Sequence, residues 1–420
     1  MAVVFKFGGT SLRDHPYHVL NRVLNAHRRH DGKVVVVVSA LAGITDALIK
    51  HDILDARCIV AKWKRDHHIH DTVFATIEPI FEFAHNFKHT NDNHDLFVSL
   101  GEKISALLFS ELLCMYDAPA IPLWADTALL WSRHGAITCD DARIRTSHAK
   151  HFVPVVTGYC AFNVIEQRTC LLGRNGSDTT ATIVASALQC DCVIFTDVQA
   201  IMTVDPRTCG DALPIHHMTF GEVRELAFHG ASVLHGDCID HAEQNAGCTL
   251  TVAHVSDNGW RRHGTTISHN MPRRPRGVVA MAVLEKRVGV SVRAHRGEVG
   301  FACRVFQKVC EAGVSVEMFS QTCSERSMCL LVPESAESKV VEALQDYDVT
   351  YSEDLCILTV VGESMRDTPG VAAEVCGALA DHGINIRCIS QGATEMSLSV
   401  AVPQSEMCAA VRAVHHKCLQ

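Results

Sequence analysis

The sequence predicts an α/β protein: an open, mostly parallel sheet covered by helices on both faces, followed by a repeated α+β tail. Three observations carry this. Val3-Val4-Phe5 reads as a short strand that runs into a glycine turn and then into helix-spaced residues, Val19, Leu20, Val23 and Leu24. Val34 to Val38 is an unbroken β-branched run, the pattern of a strand buried on both faces. In the C-terminal third, Gly313-Val314-Ser315-Val316 recurs 70 residues later as Gly383-Ile384-Asn385-Ile386.

A chain of 420 residues has room for about two to four domains. A net charge of −9 argues against nucleic acid or an anionic membrane as partner, since both select a basic face. Lys6 and Arg13 interrupt any export signal, and no apolar stretch is long enough to span a bilayer. A cytoplasmic location is expected. The 19 cysteines are scattered and odd in number, which fits reduced thiols better than a disulfide framework. His67-His68-Ile69-His70 lies in a charged, helix-like stretch and reads as a solvated face, so no metal site is expected.

Taken in order, Lys6-Phe7-Gly8-Gly9-Thr10-Ser11 has the makings of a phosphate-gripping turn. Gly8 and Gly9 let backbone N–H groups approach an anion, Thr10 and Ser11 add hydroxyls, and Lys6 adds a point charge. The valine strand ends in a small-residue loop, Ser39 to Thr45, where open α/β sheets place ligands. Residues 46–95 read as helical and polar. Phe97 to Tyr116 predicts an amphipathic helix with Glu102 near its start, where an acid can simply complement the helix dipole. Phe152 to Tyr159 is a further strand ending in a glycine turn. Leu172 to Thr180 is a second glycine-rich turn before a helix, carrying Arg174, Ser177 and Asp178. Asp178 there is equally suited to capping the helix. Strands and helices alternate to about residue 255, and the proline-rich, basic stretch 270–277 marks the domain boundary. Each repeat reads strand, helix, strand, strand, helix. The second is one strand short, and Val278 to Leu284 is expected to supply it, making the first repeat an insertion within the second.

The motifs, in this order, resemble those of the aspartate kinases: Lys6 to Ser11, Ser99-Leu100-Gly101-Glu102, Leu172 to Asp178, Thr196-Asp197-Val198 and Asp205-Pro206-Arg207, while the tail resembles their paired ACT domains. The resemblance implies an amino-acid-kinase (carbamate-kinase-like) domain over 1–269, a linker 270–277, a strand 278–285 joining the second ACT domain, and ACT domains over 286–352 and 353–420. It also implies a monofunctional enzyme that transfers phosphate from ATP, with Mg2+, to the side-chain carboxylate of L-aspartate, at the head of lysine, threonine and methionine synthesis. Lys6 and Asp178 would then be catalytic. Ser39, Thr45, Glu102, Arg174 and Ser177 would hold aspartate. Lys6, Gly8, Gly9, Thr10, Ser11, Thr196, Asp197, Met202, Asp205, Arg207 and Ser232 would hold ATP. Gln321, Gln391 and Asn385 would meet an amino-acid effector, threonine or lysine, and the ACT domains would pair into a homodimer or larger homo-oligomer. Departures from the family pattern are Ser232 in place of a lysine, Met202 of a tyrosine, and Ala200 and Asn175 of glycines; weaker ATP affinity is expected. The rival readings are another amino-acid-kinase reaction on the same fold, and an amino-acid sensor with a decayed kinase half.

Overall fold

The computed structural model describes residues 2–86, 94–231, 234–245, 247–257, 260–269, 277–294, 299–322 and 326–420. The chain divides into two compact units. One comprises residues 1–201, 214–220 and 233–271; the other comprises 202–213, 221–232 and 272–420.

The first unit is built on an eight-stranded sheet. Its strands are β1 (Val3–Phe7), β2 (Val34–Val38), β3 (Ala120–Leu123), β4 (Val153–Thr157), β5 (Asp191–Thr196), β6 (His217–Met218), β7 (Leu250–His254) and β8 (Thr265–Ile267). They lie in the order β6-β8-β7-β5-β1-β2-β4-β3, parallel throughout except for β7 against β8. Every valine of β2 is fully buried, because helices cover both faces of a central parallel strand. Phe7 stacks on Phe195 with ring centroids 5.0 Å apart, tying β1 to β5. The helices α1 (Gly9–Asp14), α2 (Pro16–Arg29), α3 (His94–Cys114) and α4 (Gly176–Leu188) place the residues of interest.

Helix α3 departs from expectation. It is buried around most of its circumference, from Phe97 through Leu113, with Ser99, Glu102, Ser105 and Ser110 inside along with the leucines. Other helices pack on it from outside while β2, β3 and β4 lie inside, so it has no broad solvent face to make polar. Glu102 lies in its third turn, not at its start, and is too deep to serve the helix dipole.

The second unit carries one six-stranded antiparallel sheet: β9 (Ala280–Arg293), β10 (Met318–Gln321), β11 (Ser327–Pro333), β12 (Asp348–Val361), β13 (Cys388–Gln391) and β14 (Ser397–Pro403), in the order β10-β11-β9-β12-β14-β13. Each repeat adds two helices, α5 (Phe301–Glu311) and α6 (Glu337–Ala343), then α7 (Val371–Asp381) and α8 (Met407–Leu419). Residues 280–284 pair with 357–361, while 287–293 pair with β11 and with the first part of β12. The boundaries drawn at 285/286 and 352/353 therefore fall inside two continuous 14-residue strands shared by both halves. The stretch 270–276 lies outside the described residues.

A further difference concerns 202–213 and 221–232, which the sequence pattern places in the first domain. Val204 and Cys209 share an apolar core with Val278, Met281, Leu358 and Val360. Thr203 Oγ1 bonds His415 Nε2 at 2.8 Å, and the Met281 N–H donates to the Thr203 carbonyl at 2.7 Å. Apolar burial and these bonds assign the segment to the second unit.

Candidate active site

Four loops meet at the carboxyl ends of the central strands of the first unit. Lys6, one residue from the end of β1, is flanked by Val37 and Ile194 on the neighbouring strands. Its ammonium lies 2.6 Å from Asp178 Oδ1, in the first turn of α4, with both side chains nearly buried. Oδ1 has no aligned hydrogen bond, so the contact is an ion pair held by position and charge. Asp178 does not cap its helix; its carboxylate is spent on Lys6.

Gly9 sits where only glycine fits. A Cβ there would lie 2.0 Å from the Ala40 carbonyl oxygen, so the first glycine turn and the loop after β2 are in backbone contact. The Ala42 N–H donates to the Gly9 carbonyl at 3.3 Å, and the Ser39 N–H to the Phe7 carbonyl at 3.2 Å. From its other side the loop is held by α3: the Ala40 N–H donates to Glu102 Oε1 at 3.3 Å, and the Leu41 N–H to Ser105 Oγ at 2.8 Å. Ala40 is thus clamped between Gly9 and Glu102.

Glu102 is 3 % exposed, and its Oε2 has no hydrogen-bond partner. Burial pushes its carboxyl up to about 8, against smaller lowering by backbone N–H groups and Lys103. A buried carboxyl with one oxygen unengaged costs free energy to keep, which marks Glu102 as a candidate binding residue.

The other expected residues fall as follows. Gly8 caps α1 with extended backbone, Thr10 is exposed, and Ser11 is buried inside the first turn. Ser39 and Thr45 are half-buried on the β2 loop and the helix it starts. Ser177 is buried against Gly158, whose absent Cβ would lie 2.5 Å from Ser177 Oγ. Arg174 is exposed and has no side-chain partner among the described residues. Asn175 takes φ +54 just ahead of α4, which asparagine tolerates in place of the family glycine. Thr196 ends β5 and its hydroxyl donates to Asp197 at 2.9 Å. Met202, Asp205 and Arg207 belong to the second unit, where Arg207 pairs with Asp205 at 2.7 Å on an exposed turn. Ser232 lies outside the described residues.

One residue the motifs did not single out belongs to this site. Tyr159 has φ +71, a strained conformation for an aromatic residue, and its ring lies against Gly176. Its hydroxyl is held protonated above the usual range by burial and then by the charges of Glu102 and Asp95. The signal available in sequence was Gly158 before it, a glycine ending a buried strand.

In the second unit, Gln321 ends β10 and helps line a cavity of about 470 Å³ with Arg293, Thr322 and Arg387. Gln391 and Asn385 are exposed and are not among its lining residues.

A lysine–carboxylate pair beside a glycine turn at the carboxyl edge of an open α/β sheet, next to a buried acid, makes this the candidate active site, placed where open α/β sheets bind ligands. The chain belongs to the amino acid kinase family, whose model matches residues 1–254, and it carries ACT domains matched at 288–347 and 358–418. It is 29% identical over 430 residues to an aspartokinase of Geobacillus stearothermophilus, covering 98% of this chain and 96% of that one. Among solved structures it is similar to E. coli aspartokinase III in complex with aspartate and ADP (25% identity, TM-score 0.72) and to the same enzyme with lysine and aspartate (26%, TM-score 0.75), each covering 100% of both chains. The protein is a kinase.

Proposed function

We propose that the protein transfers the γ-phosphoryl group of MgATP to the side-chain carboxylate of L-aspartate, giving ADP and 4-phospho-L-aspartate, and that this opens lysine, threonine and methionine synthesis in the cytoplasm. The observation that carries this reading is the convergence of the Lys6–Asp178 ion pair with the unengaged Oε2 of Glu102 around one clamped loop.

The roles follow from charge. Two anions, the acceptor carboxylate and the γ-phosphate, must meet in line, so catalysis is chiefly electrostatic and positional. Lys6 draws developing charge from the transferring group while Asp178 fixes where its ammonium points. The N–H groups of Gly8 and Gly9 and the Thr10 hydroxyl supply further donors, with Ser11 beside them. Glu102 takes the substrate ammonium, giving up its proton as it does so. Arg174, unpartnered and exposed, takes a carboxylate in a bidentate grip. Ser39, Thr45 and Ser177 complete the pocket. Thr196, Asp197, Met202, Asp205, Arg207 and Ser232 are assigned to the nucleotide. Mg2+ arrives on the phosphates; Asp178 is engaged by Lys6 and is not asked to ligate it.

The ACT domains are read as a feedback device responding to threonine or lysine. Lysine is supported by the complex of the similar E. coli enzyme, and threonine by the doubled glutamine, Gln321 and Gln391. Asn385, exposed, is a third effector contact in this reading. Half-exposed Phe319 and Ile389 on the two edge strands support pairing into a homodimer or larger assembly.

The test is an ADP-release assay with L-aspartate, run with hydroxylamine to trap the acyl phosphate. Hydroxamate formed in step with ADP is expected. ADP release without hydroxamate, or with N-acetylglutamate or uridylate preferred as acceptor, overturns the assignment. Activity measured across threonine and lysine, singly and together, tests regulation; indifference to both removes it.

A further inference from the structure

Of the cysteines in the described residues, two from different halves of the regulatory sheet stand thiol to thiol. Cys329 lies on β11, opposite Ser291 and Ser320 on its neighbours, and Cys388 begins β13, opposite Ala401. The two edge strands, β10 and β13, approach one another, so these distant strands share a small apolar cluster with Met318, Leu331 and Ile357. Within it the Cys329 and Cys388 side chains are neighbours, close enough for each thiol to shift the ionisation of the other. Both are free thiols, Cys329 half-buried and Cys388 buried. Both also line the cavity of about 470 Å³, together with exposed Arg293 and Arg387. The repeat places the counterparts of Cys388 and Cys329 at Met318 and Ser399, 70 residues away in each case. The mirrored corner therefore holds a thioether and a hydroxyl, and only one corner has a dithiol.

We propose that Cys329 and Cys388 form a thiol–disulfide exchange site, at which a carboxylate-bearing low-molecular-weight disulfide oxidises the pair and joins the two repeat halves covalently. The cavity gives the reagent access to the thiols, and the two exposed arginines that line it suit its carboxylates. Cys329 is the attacking sulfur: it is the less buried of the two, and its thiol is drawn below the usual range by the neighbouring Cys388 thiol and then, against desolvation, by Ser291, while Cys388 is held protonated. The Cys329 thiolate attacks one sulfur of the reagent, the reagent's S–S bond breaks, and the first small thiol departs with a proton. Cys388 then attacks the Cys329 sulfur in the mixed disulfide, and its proton leaves with the second small thiol. The protein loses two electrons and two protons, and the reagent gains both. The inference rests on these two side chains and not on which effector the cavity takes.

The test uses the full chain, reduced and then exposed to oxidised glutathione near pH 7.5, quenched by alkylation and mapped by mass spectrometry. A peptide linking Cys329 to Cys388 is expected as the leading intramolecular bridge, reversed by dithiothreitol. In Cys388→Ser, Cys329 should accumulate as the glutathione adduct; in Cys329→Ser, Cys388 should remain a thiol. Independently of either variant, Cys329 of the unmodified, reduced chain should be alkylated near neutral pH although it is half-buried, and should lose that reactivity once the bridge has formed. A bridge from either residue to Cys323 instead, or glutathione on Cys303, Cys310 and Cys408 with Cys329 still free, overturns the proposal.

Discussion

Replacing Glu102 by glutamine should change how the stability of the catalytic unit depends on pH. The carboxyl titrates near 4.5 when unhindered and is pushed up to about 8 by burial. Below the lower value both folded and unfolded chains hold the proton and nothing is lost. Between the two values the unfolded chain ionises while the folded one keeps its proton, so stability falls with rising pH by at most about 1.4 kcal/mol per pH unit. Above the upper value both forms are ionised and the loss stays constant. Taken at its full extent, the window corresponds to a loss of up to about 5 kcal/mol. Glutamine cannot ionise and keeps a carbonyl for the Ala40 N–H, but it places an N–H2 group where Oε2 has no partner, at a cost of about 1–3 kcal/mol. The variant should therefore be no more stable than wild type near pH 5 and clearly more stable near pH 8. All four tryptophans, Trp63, Trp124, Trp131 and Trp260, belong to the first unit, so their fluorescence during urea unfolding reports on it. Midpoints measured from pH 5 to 8.5 should cross for the two proteins. Parallel curves would refute the assignment of a proton to buried Glu102. The same proton should be released when L-aspartate binds at pH 7, and calorimetry in buffers of different ionisation enthalpy would count it.

Lys6→Ala should lower kcat by at least about a hundredfold and also destabilise the fold by about 3 kcal/mol, because Asp178 is left buried and unpaired. Asp178→Asn should lower kcat with less effect on the midpoint; a double variant no worse than Lys6→Ala alone would show that the two act as one device. Arg174→Lys should raise KM for L-aspartate about tenfold or more with an unchanged unfolding midpoint, since an ammonium cannot reproduce a bidentate grip; an unchanged KM would remove Arg174 from the pocket. Ser232→Lys should lower KM for ATP by restoring a charge, and an indistinguishable KM would count against weak nucleotide affinity as its consequence.

Much of the site could be read from residue types because its chemistry is local to short turns. Lys6, Gly8 and Gly9 lie within four residues, and Arg174, Ser177 and Asp178 within five. Each turn needed only a strand before it and a helix after it, and both periodicities were plain. What could not be read were effects of burial and long-range contact. Glu102 looked like a helix-start acid because the first apolar repeat visible was at Phe97, while the helix begins at His94 and is covered on nearly every side. Its setting depends on Ala40, 62 residues away, and on an oxygen that has no partner. Tyr159 is invisible for the same kind of reason: its φ of +71 and its approach to Gly176 are features that no spacing rule encodes. Likewise Thr203 meets His415 across 212 residues, so its segment was counted with its sequence neighbours and not with the core it packs into.

The regulatory half shows what a repeat does and does not specify. A 70-residue period predicts two equivalent units, and the polar run Glu285-Lys286-Arg287 after an apolar strand reads as the seam between them. In the folded chain that run is a bulge inside β9. Lys286 takes φ +58, the pairing with β12 shifts register on both sides of Arg287, and the Lys286 N–H turns to the side chain of Gln404 at 3.0 Å. Asp354 takes φ +56 at the facing point of β12. A bulge lets a strand bend and twist without leaving its sheet, so one strand can complete the second repeat with its first half and begin the first repeat with its second. The continuous backbone ladder makes a hinge at the seam costly, because parting the halves would break hydrogen bonds along both long strands. The edge strands β10 and β13 approach one another without a backbone ladder between them, and the cavity and its two thiols lie there. A bond across those edges adds a constraint at the one place where the sheet itself supplies none.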